Sequence, residues 1–295
     1  MSKLLDDIKM QFTGAEALYR LLLINCAVFL LITITRSVFF LAGADNGTVE
    51  WVVMKLSLPA DLSSLLRQPW TLLTYMFLHT GLLHILFNML ILFWTGRLFT
   101  EYLGNAKLWA TYVAGALVGA LAYVISFNLL PAFDGTVSSS YLLGASAGVI
   151  AVLVAVATLL PDYVVHLLIF GAVRLKYVAI FSIVLYFISI PLGNAGGHIA
   201  HLGGALFGYL MIVQLRKGRD LTAWLTGLSA MKLRSKPVKM TVVKSGRSRY
   251  NSDDLHEGIA SQELVDRILD KINKSGFDSL SKEEKEILYK ASGKK

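Results

Sequence analysis

Two short segments of this chain carry residue types that together could break an acyl bond. Gly144-Ala145-Ser146-Ala147-Gly148 sets one serine among small residues where a polar loop enters an apolar run. Further along, Gly197-His198-Ile199-Ala200-His201-Leu202-Gly203-Gly204 opens another apolar run. A serine hydroxyl is a weak nucleophile until a base takes its proton, and histidine is suited to that task near neutral pH. Ser146 is therefore the candidate nucleophile and His201 the candidate general base. Polar and ionisable groups at membrane depth are costly, so their presence there points to function.

The rest of the composition places both residues in a membrane. Of the 295 residues, 55% are hydrophobic and only 16% charged, whereas soluble domains carry about a quarter charged residues. The net charge of +8 is explained by basic residues bordering membrane spans, so no nucleic-acid partner is expected. A lone cysteine, Cys26, rules out a disulfide framework. The first apolar stretch lacks a small-residue cleavage site and reads as a retained span rather than a signal peptide.

Apolar segments able to cross roughly 30 Å of hydrocarbon can be placed at about 19–43, 80–100, 107–130, 146–160, 177–192 and 199–215. Gly115-x-x-x-Gly119 and Gly204-x-x-x-Gly208 are spaced for close helix approach. Arg97, Lys107, Arg174, Lys176, Arg216, Lys217 and Arg219 mark one side, while connections 131–143 and 193–198 contain no lysine or arginine. Basic loops face the cytoplasm, so both termini are expected there. The long first connection, about 44–79, carries Trp51, Trp70 and amphipathic runs that read as segments resting in the interface. Arg36 is expected to snorkel to that interface.

Helix rise tests whether the polar residues share a depth. Ser146 starts a run ending near Pro161, or ~23 Å, and His201 lies ~22 Å before Arg216. On the second span, His84 and Asn88 share one face a turn apart, with Asn88 ~20 Å from Glu101. Four polar side chains from three helices thus occupy one level, on the outer side. No aspartate or glutamate accompanies them in the last three spans, so a dyad without an orienting carboxylate is expected. The Ser146 N–H at a helix start, the Asn88 amide and His84 are candidate donors to an oxyanion. Gly144 and the other small residues around Ser146 let a substrate backbone approach closely.

Blander readings exist. A serine in a small-residue run can be simple helix packing, and an intramembrane histidine is often a hydrogen-bonding residue. His198 shares the His201 face, so a metal site with His79 or His84 is conceivable. No HExxH motif or intramembrane carboxylate accompanies it, so neither a metal nor a cofactor is expected. His166 reads as a loop residue and His256 as a tail residue. A transporter would need paired unwound helices and ion-binding carboxylates, which are missing.

Past Arg219 the chain turns basic and polar. Residues 216–260 read as a flexible cytoplasmic linker able to touch anionic lipid. Residues 261–295 read as a small helical hairpin, with Ser281 and Glu284 forming a capping box.

These residues resemble the rhomboid family of intramembrane serine proteases. The resemblance covers about residues 20–215 and rests on three motifs: His79-x4-His84-x3-Asn88, Gly144-Ala145-Ser146, and Ala200-His201-x2-Gly204-x3-Gly208. Trp70 and Glu101-x2-Gly104 also fit family patterns. It implies an all-α bundle of six transmembrane helices over 19–215, with a cytoplasmic N-terminus over 1–18. By resemblance, Ser146 is the nucleophile, His201 the base, and Asn88, His84 and the Ser146 amide bind the oxyanion. His79 would organise a loop, while Trp70, His198 and Gly144 would lie near substrate or support the loops. The implied activity is hydrolysis of transmembrane or juxtamembrane segments of other membrane proteins, in contact with lipid. The tail resembles tails of some bacterial members less closely, and a bacterial plasma (inner) membrane is the expected location. The rival is an inactive rhomboid-like protein that binds membrane helices without cutting them. Family members often carry glycine directly after the serine, and some carry a tyrosine four residues after it, stacked on the histidine. Here these positions are Ala147 and Ile150, and the usual Trp-Arg pair reads Trp70-Thr71.

Overall fold

In hydrocarbon no water can satisfy a bare backbone group, so long proline-free apolar runs close their hydrogen bonds within helices. The computed structural model, which describes residues 17–167, 171–232 and 265–291, follows that rule. In chain order its elements are α1 (Ala17–Leu41), α2 (Gly47–Leu56), β1 (Leu58–Pro59), α3 (Leu62–Arg67), α4 (Thr71–Thr74), α5 (Leu82–Leu103), α6 (Asn105–Leu129), β2 (Tyr141–Leu142), α7 (Ser146–Leu159), β3 (Val164–Leu167), β4 (Gly171–Arg174), α8 (Leu175–Ser189), α9 (Ala195–Arg216) and α10 (Ala223–Lys232). Among the described residues, five helices (α1, α5, α6, α8 extended to Leu192, and α9) are long and apolar enough to cross a membrane. The sixth apolar helix, α7, has 14 residues and spans ~21 Å.

α7 is the centre of the bundle. Every residue from Ala147 to Ala157 is buried, as befits a helix apolar on all sides. α1 and α8 are peripheral: only 17% and 11% of their apolar windows are buried. Their outer faces present Leu31, Ile34, Phe181 and Phe187 to the surroundings.

Lipid tails are as apolar as leucine, so helices associate through close packing rather than hydrophobic exclusion. The two glycine pairs supply it against the same two residues of α7, Ala147 and Ala151. A Cβ on Gly115 or Gly119 of α6 would strike the Cβ of Ala151 or Ala147. One on Gly204 or Gly208 of α9 would strike the carbonyl of Ala147 or Ala151. α6 and α9 therefore clamp the same two turns of α7. At the far end, Arg216 donates to the carbonyl of Thr158 (2.8 Å) and satisfies a terminal acceptor of α7.

The connections hold buried polar groups in pairs. Tyr112 donates to the Met76 carbonyl (2.8 Å) and Tyr75 to the Ala116 carbonyl (2.6 Å), fastening the segment before α5 to α6. The first connection is more structured than an interfacial loop. Trp70 Nε1 donates to the Lys55 carbonyl (2.9 Å), Thr74 Oγ1 to the Leu56 carbonyl (2.6 Å), and Asn128 Nδ2 to the Ala60 carbonyl (2.8 Å). Arg36 pairs with Glu50 of α2, its Nε and Nη2 meeting the carboxylate at 2.8 and 2.9 Å.

Two small antiparallel ladders interrupt the helical pattern. β1 pairs with β2, Leu58 opposite Leu142, and β3 with β4, Val164 opposite Arg174. His166 sits on β3, in a hairpin rather than an irregular loop. The expected linker at 216–260 also begins differently. Asp220 accepts from the N–H (2.8 Å) and hydroxyl (2.6 Å) of Thr222 and pairs with Lys107, and this turn launches α10. A local acceptor and a nearby cation order a stretch whose composition alone reads as unstructured. Residues 233–264, which include His256, and residues 1–16 lie outside the described residues.

By its contacts the chain divides into two units, Met1–Arg234 and Ser235–Lys295. In the second, α11 (265–275) and α12 (Lys282–Ala291) flank a 3-10 turn at Phe277–Ser279. The capping box is present: Ser281 N–H donates to Glu284 (2.7 Å), and Glu284 N–H to Ser281 Oγ (3.2 Å).

Candidate active site

The serine is delivered by a strapped loop. Ala60 N–H donates to the Ser140 carbonyl (3.0 Å) and Gly144 N–H to the Tyr75 carbonyl (2.9 Å), so the chain reaches α7 tied to the first connection. Gly144 has φ +134°, a conformation side-chain residues rarely adopt. A Cβ there would sit 3.3 Å from His84 Nε2 and 3.5 Å from Ser146 Oγ. Glycine thus leaves open the space that the serine and His84 both face. Ser146 is the first residue of α7, with no side-chain cap on that helix. The first-turn N–H groups of a helix have no partner within it.

The histidine is delivered by a sharp turn. Gly193 (φ +129°) and Asn194 (φ +49°) reverse the chain, and asparagine tolerates the left-handed region better than most residues. α9 then carries His198 and His201 one turn apart, and Gly203 and Gly204 let it lie against α6 and α7. The result brings His201 Nε2 to 2.6 Å from Ser146 Oγ, across 55 positions of sequence. Both residues are half-buried. The other ring nitrogen, His201 Nδ1, is buried with no hydrogen-bond partner among the described residues.

The remaining expected site residues sort by distance from this pair. His84 faces Gly144 on α5, with Nδ1 3.4 Å from Thr80 Oγ1. Asn88 is buried one turn deeper and donates to the His84 carbonyl (2.9 Å). His79 is buried before α5, its ring edge-on to His84 at 5.1 Å. His198 has its ring 6.0 Å from that of His201. Trp70 anchors the first connection through the Lys55 carbonyl, a contact of the loop-supporting kind. Among the described residues no group of three or more His, Cys, Asp or Glu could hold a metal ion.

One neighbour has no counterpart in the sequence reading. Tyr186 of α8 places its ring 4.4 Å from that of His201, edge to face. It lies in an apolar run rich in Phe and Tyr, and nothing in that run's periodicity distinguishes it from a lipid-facing aromatic.

A family model for the Rhomboid domain matches residues 66–218, just over half the chain and all of α4 to α9. The chain belongs to the rhomboid family. It is similar to RHOMBOID-like protein 12, mitochondrial, of Arabidopsis thaliana, 31% identical over 50% of this chain and 47% of that protein. It is also similar to Rhomboid-like protease 2 of Toxoplasma gondii, 30% identical over 55% of this chain and 54% of that protein. The chain spans about half the length of these curated relatives. Residues 248–294 match a second model, a family of unknown function. Rhomboid membership agrees with the all-α membrane bundle.

Proposed function

We propose that this chain is an intramembrane serine endopeptidase acting on transmembrane or juxtamembrane segments of other membrane proteins. The observation that carries the reading is the 2.6 Å approach of Ser146 Oγ to His201 Nε2. At that distance the hydroxyl can donate its proton to a neutral imidazole as the oxygen attacks a peptide carbonyl. His201 then returns the proton to the leaving amine, and water repeats the sequence on the acyl-serine.

The tetrahedral intermediate carries an oxyanion, best stabilised by donors already in place. The Ser146 N–H at the start of α7, the His84 ring facing Gly144, and the second N–H of the Asn88 amide are assigned that role. Support for substrate access comes from an apolar cavity of about 480 Å³ lined by Leu90, Trp94, Ile150, Leu153, Val178 and Tyr186. It lies between α5, α7 and α8, the last being the least buried of the long helices. A substrate helix must unwind locally to expose its carbonyl, which favours small or helix-breaking residues at the cut. Counting α7 as a short sixth span, our reading puts both termini on the cytoplasmic side, and the basic loops support it.

Ser146→Ala tests the reading. Purified wild-type protein in lipid is expected to cleave a single-span substrate and to take a fluorophosphonate label on Ser146. Ser146→Ala and His201→Ala are expected to fold and to do neither. Cleavage by the Ser146→Ala protein rejects the mechanism. A wild-type protein that binds membrane helices but neither cleaves nor labels is the inactive relative instead.

A further inference from the structure

We infer that Tyr186 is the positioning residue for the His201 imidazole, so that the base is oriented from α8 rather than from the serine's own helix. The inference rests on the Ser146–His201 reading above. A general base acts only while its nitrogen points at the proton it takes, and the ring torsion of histidine is broad unless something fixes it. A hydrogen bond from Nδ1 to an acceptor commonly does so, but His201 Nδ1 has no partner among the described residues. Orientation therefore falls to ring packing. Two rings flank the imidazole: Tyr186 at 4.4 Å and 66°, and His198 at 6.0 Å and 84°. Tyr186 is the one in contact.

On the serine's own helix, Ile150 lies one turn after Ser146 and has no ring to offer. Tyr186 and Ile150 line the same cavity, and of the two only Tyr186 presents a ring to the imidazole. The contact is apolar in kind and its hydroxyl is not required. Because α8 is only 11% buried over its apolar window, the orientation of the base depends on where a peripheral helix sits. A segment occupying the cavity touches the same tyrosine that abuts His201.

The test compares Tyr186→Phe and Tyr186→Leu in the full chain reconstituted in lipid, with Phe181→Leu as a lipid-facing control on the same helix. Turnover of a single-span substrate is measured alongside the nitrogen spectrum of selectively labelled histidine. Tyr186→Leu is expected to lower kcat by up to about a hundredfold, the loss a misplaced reacting group can cause, whether or not KM also moves through the cavity lining. The His201 Nε2 signal should lose the signature of its bond to Ser146. Tyr186→Phe, which keeps the ring, and Phe181→Leu should match wild type in both readouts. Unchanged kcat in Tyr186→Leu, a change confined to KM, or equal loss in the Phe and Leu variants overturns the proposal. If the wild-type protein turns over no substrate, the protease reading fails, and the nitrogen spectrum alone still decides whether Tyr186 sets the imidazole.

Discussion

Around Ser146, the absence of a side chain at the neighbouring Gly144 matters as much as the reacting atoms themselves. Its backbone at φ +134° is one that side-chain residues rarely adopt, and a methyl group there would press on the His84 ring at 3.2 Å. Gly144→Ala is expected to cost about 1–3 kcal/mol of backbone strain and to abolish fluorophosphonate labelling. A thermal melt and a labelling assay on the same sample check both. Retained labelling at the wild-type rate would remove Gly144 from the site. At this scale the sequence singles out Ser146, His201, His84 and Gly144 by type and spacing, and these four residues lie close together. Trp70 and Tyr186 show the limit. Trp70 bonds to a carbonyl 15 positions away and Tyr186 to a ring on another helix, and neither partner is visible in local sequence.

Helices bring the dyad together through surfaces that carry no side chain. Gly204 and Gly208 let α9 press on the carbonyls of α7, while Gly115 and Gly119 let α6 lie against the Cβ atoms of Ala151 and Ala147. Gly204→Val must push α9 outward, and overpacking of this kind costs about 1–3 kcal/mol. The expected outcome is a lower melting temperature together with loss of Ser146 labelling, because the displaced helix carries His201. Gly227→Ala on α10 serves as the control, since a Cβ there meets nothing within 4 Å and alanine favours helix by about 1 kcal/mol. It should melt no lower than wild type and label normally. The glycine spacing was readable in sequence, but not the partner surfaces, and the ladder between β1 and β2 escaped it entirely. Strands of 2 residues are too short to show any alternation.

Over the whole bundle, the mismatch in helix length is the feature with consequences. α7 covers ~21 Å where hydrocarbon is ~30 Å thick, while the 25 residues of α6 cover ~38 Å. The strapped loops above Ser146 therefore sit below the level α6 reaches, with polar backbone that hydrocarbon would penalise. Reconstitution into lipids of increasing chain length should lower both thermal stability and labelling of Ser146, as mismatch grows by fractions of a kcal/mol per ångström. Labelling that rises with acyl length would contradict this account.

Hydropathy, helix rise and charge are local properties, and from them the chain by itself determined its membrane class, the places of its helices and the common depth of Ser146 and His201. Depth, however, says nothing about the direction a residue faces around its helix axis. That rotation is decided only when glycine surfaces of α6, α7 and α9 meet, because contact among three helices selects one azimuth for each. The same tertiary packing chose Tyr186 as the neighbour of the imidazole and tied the first connection to the serine loop, since both depend on segments far apart in sequence coming to rest side by side.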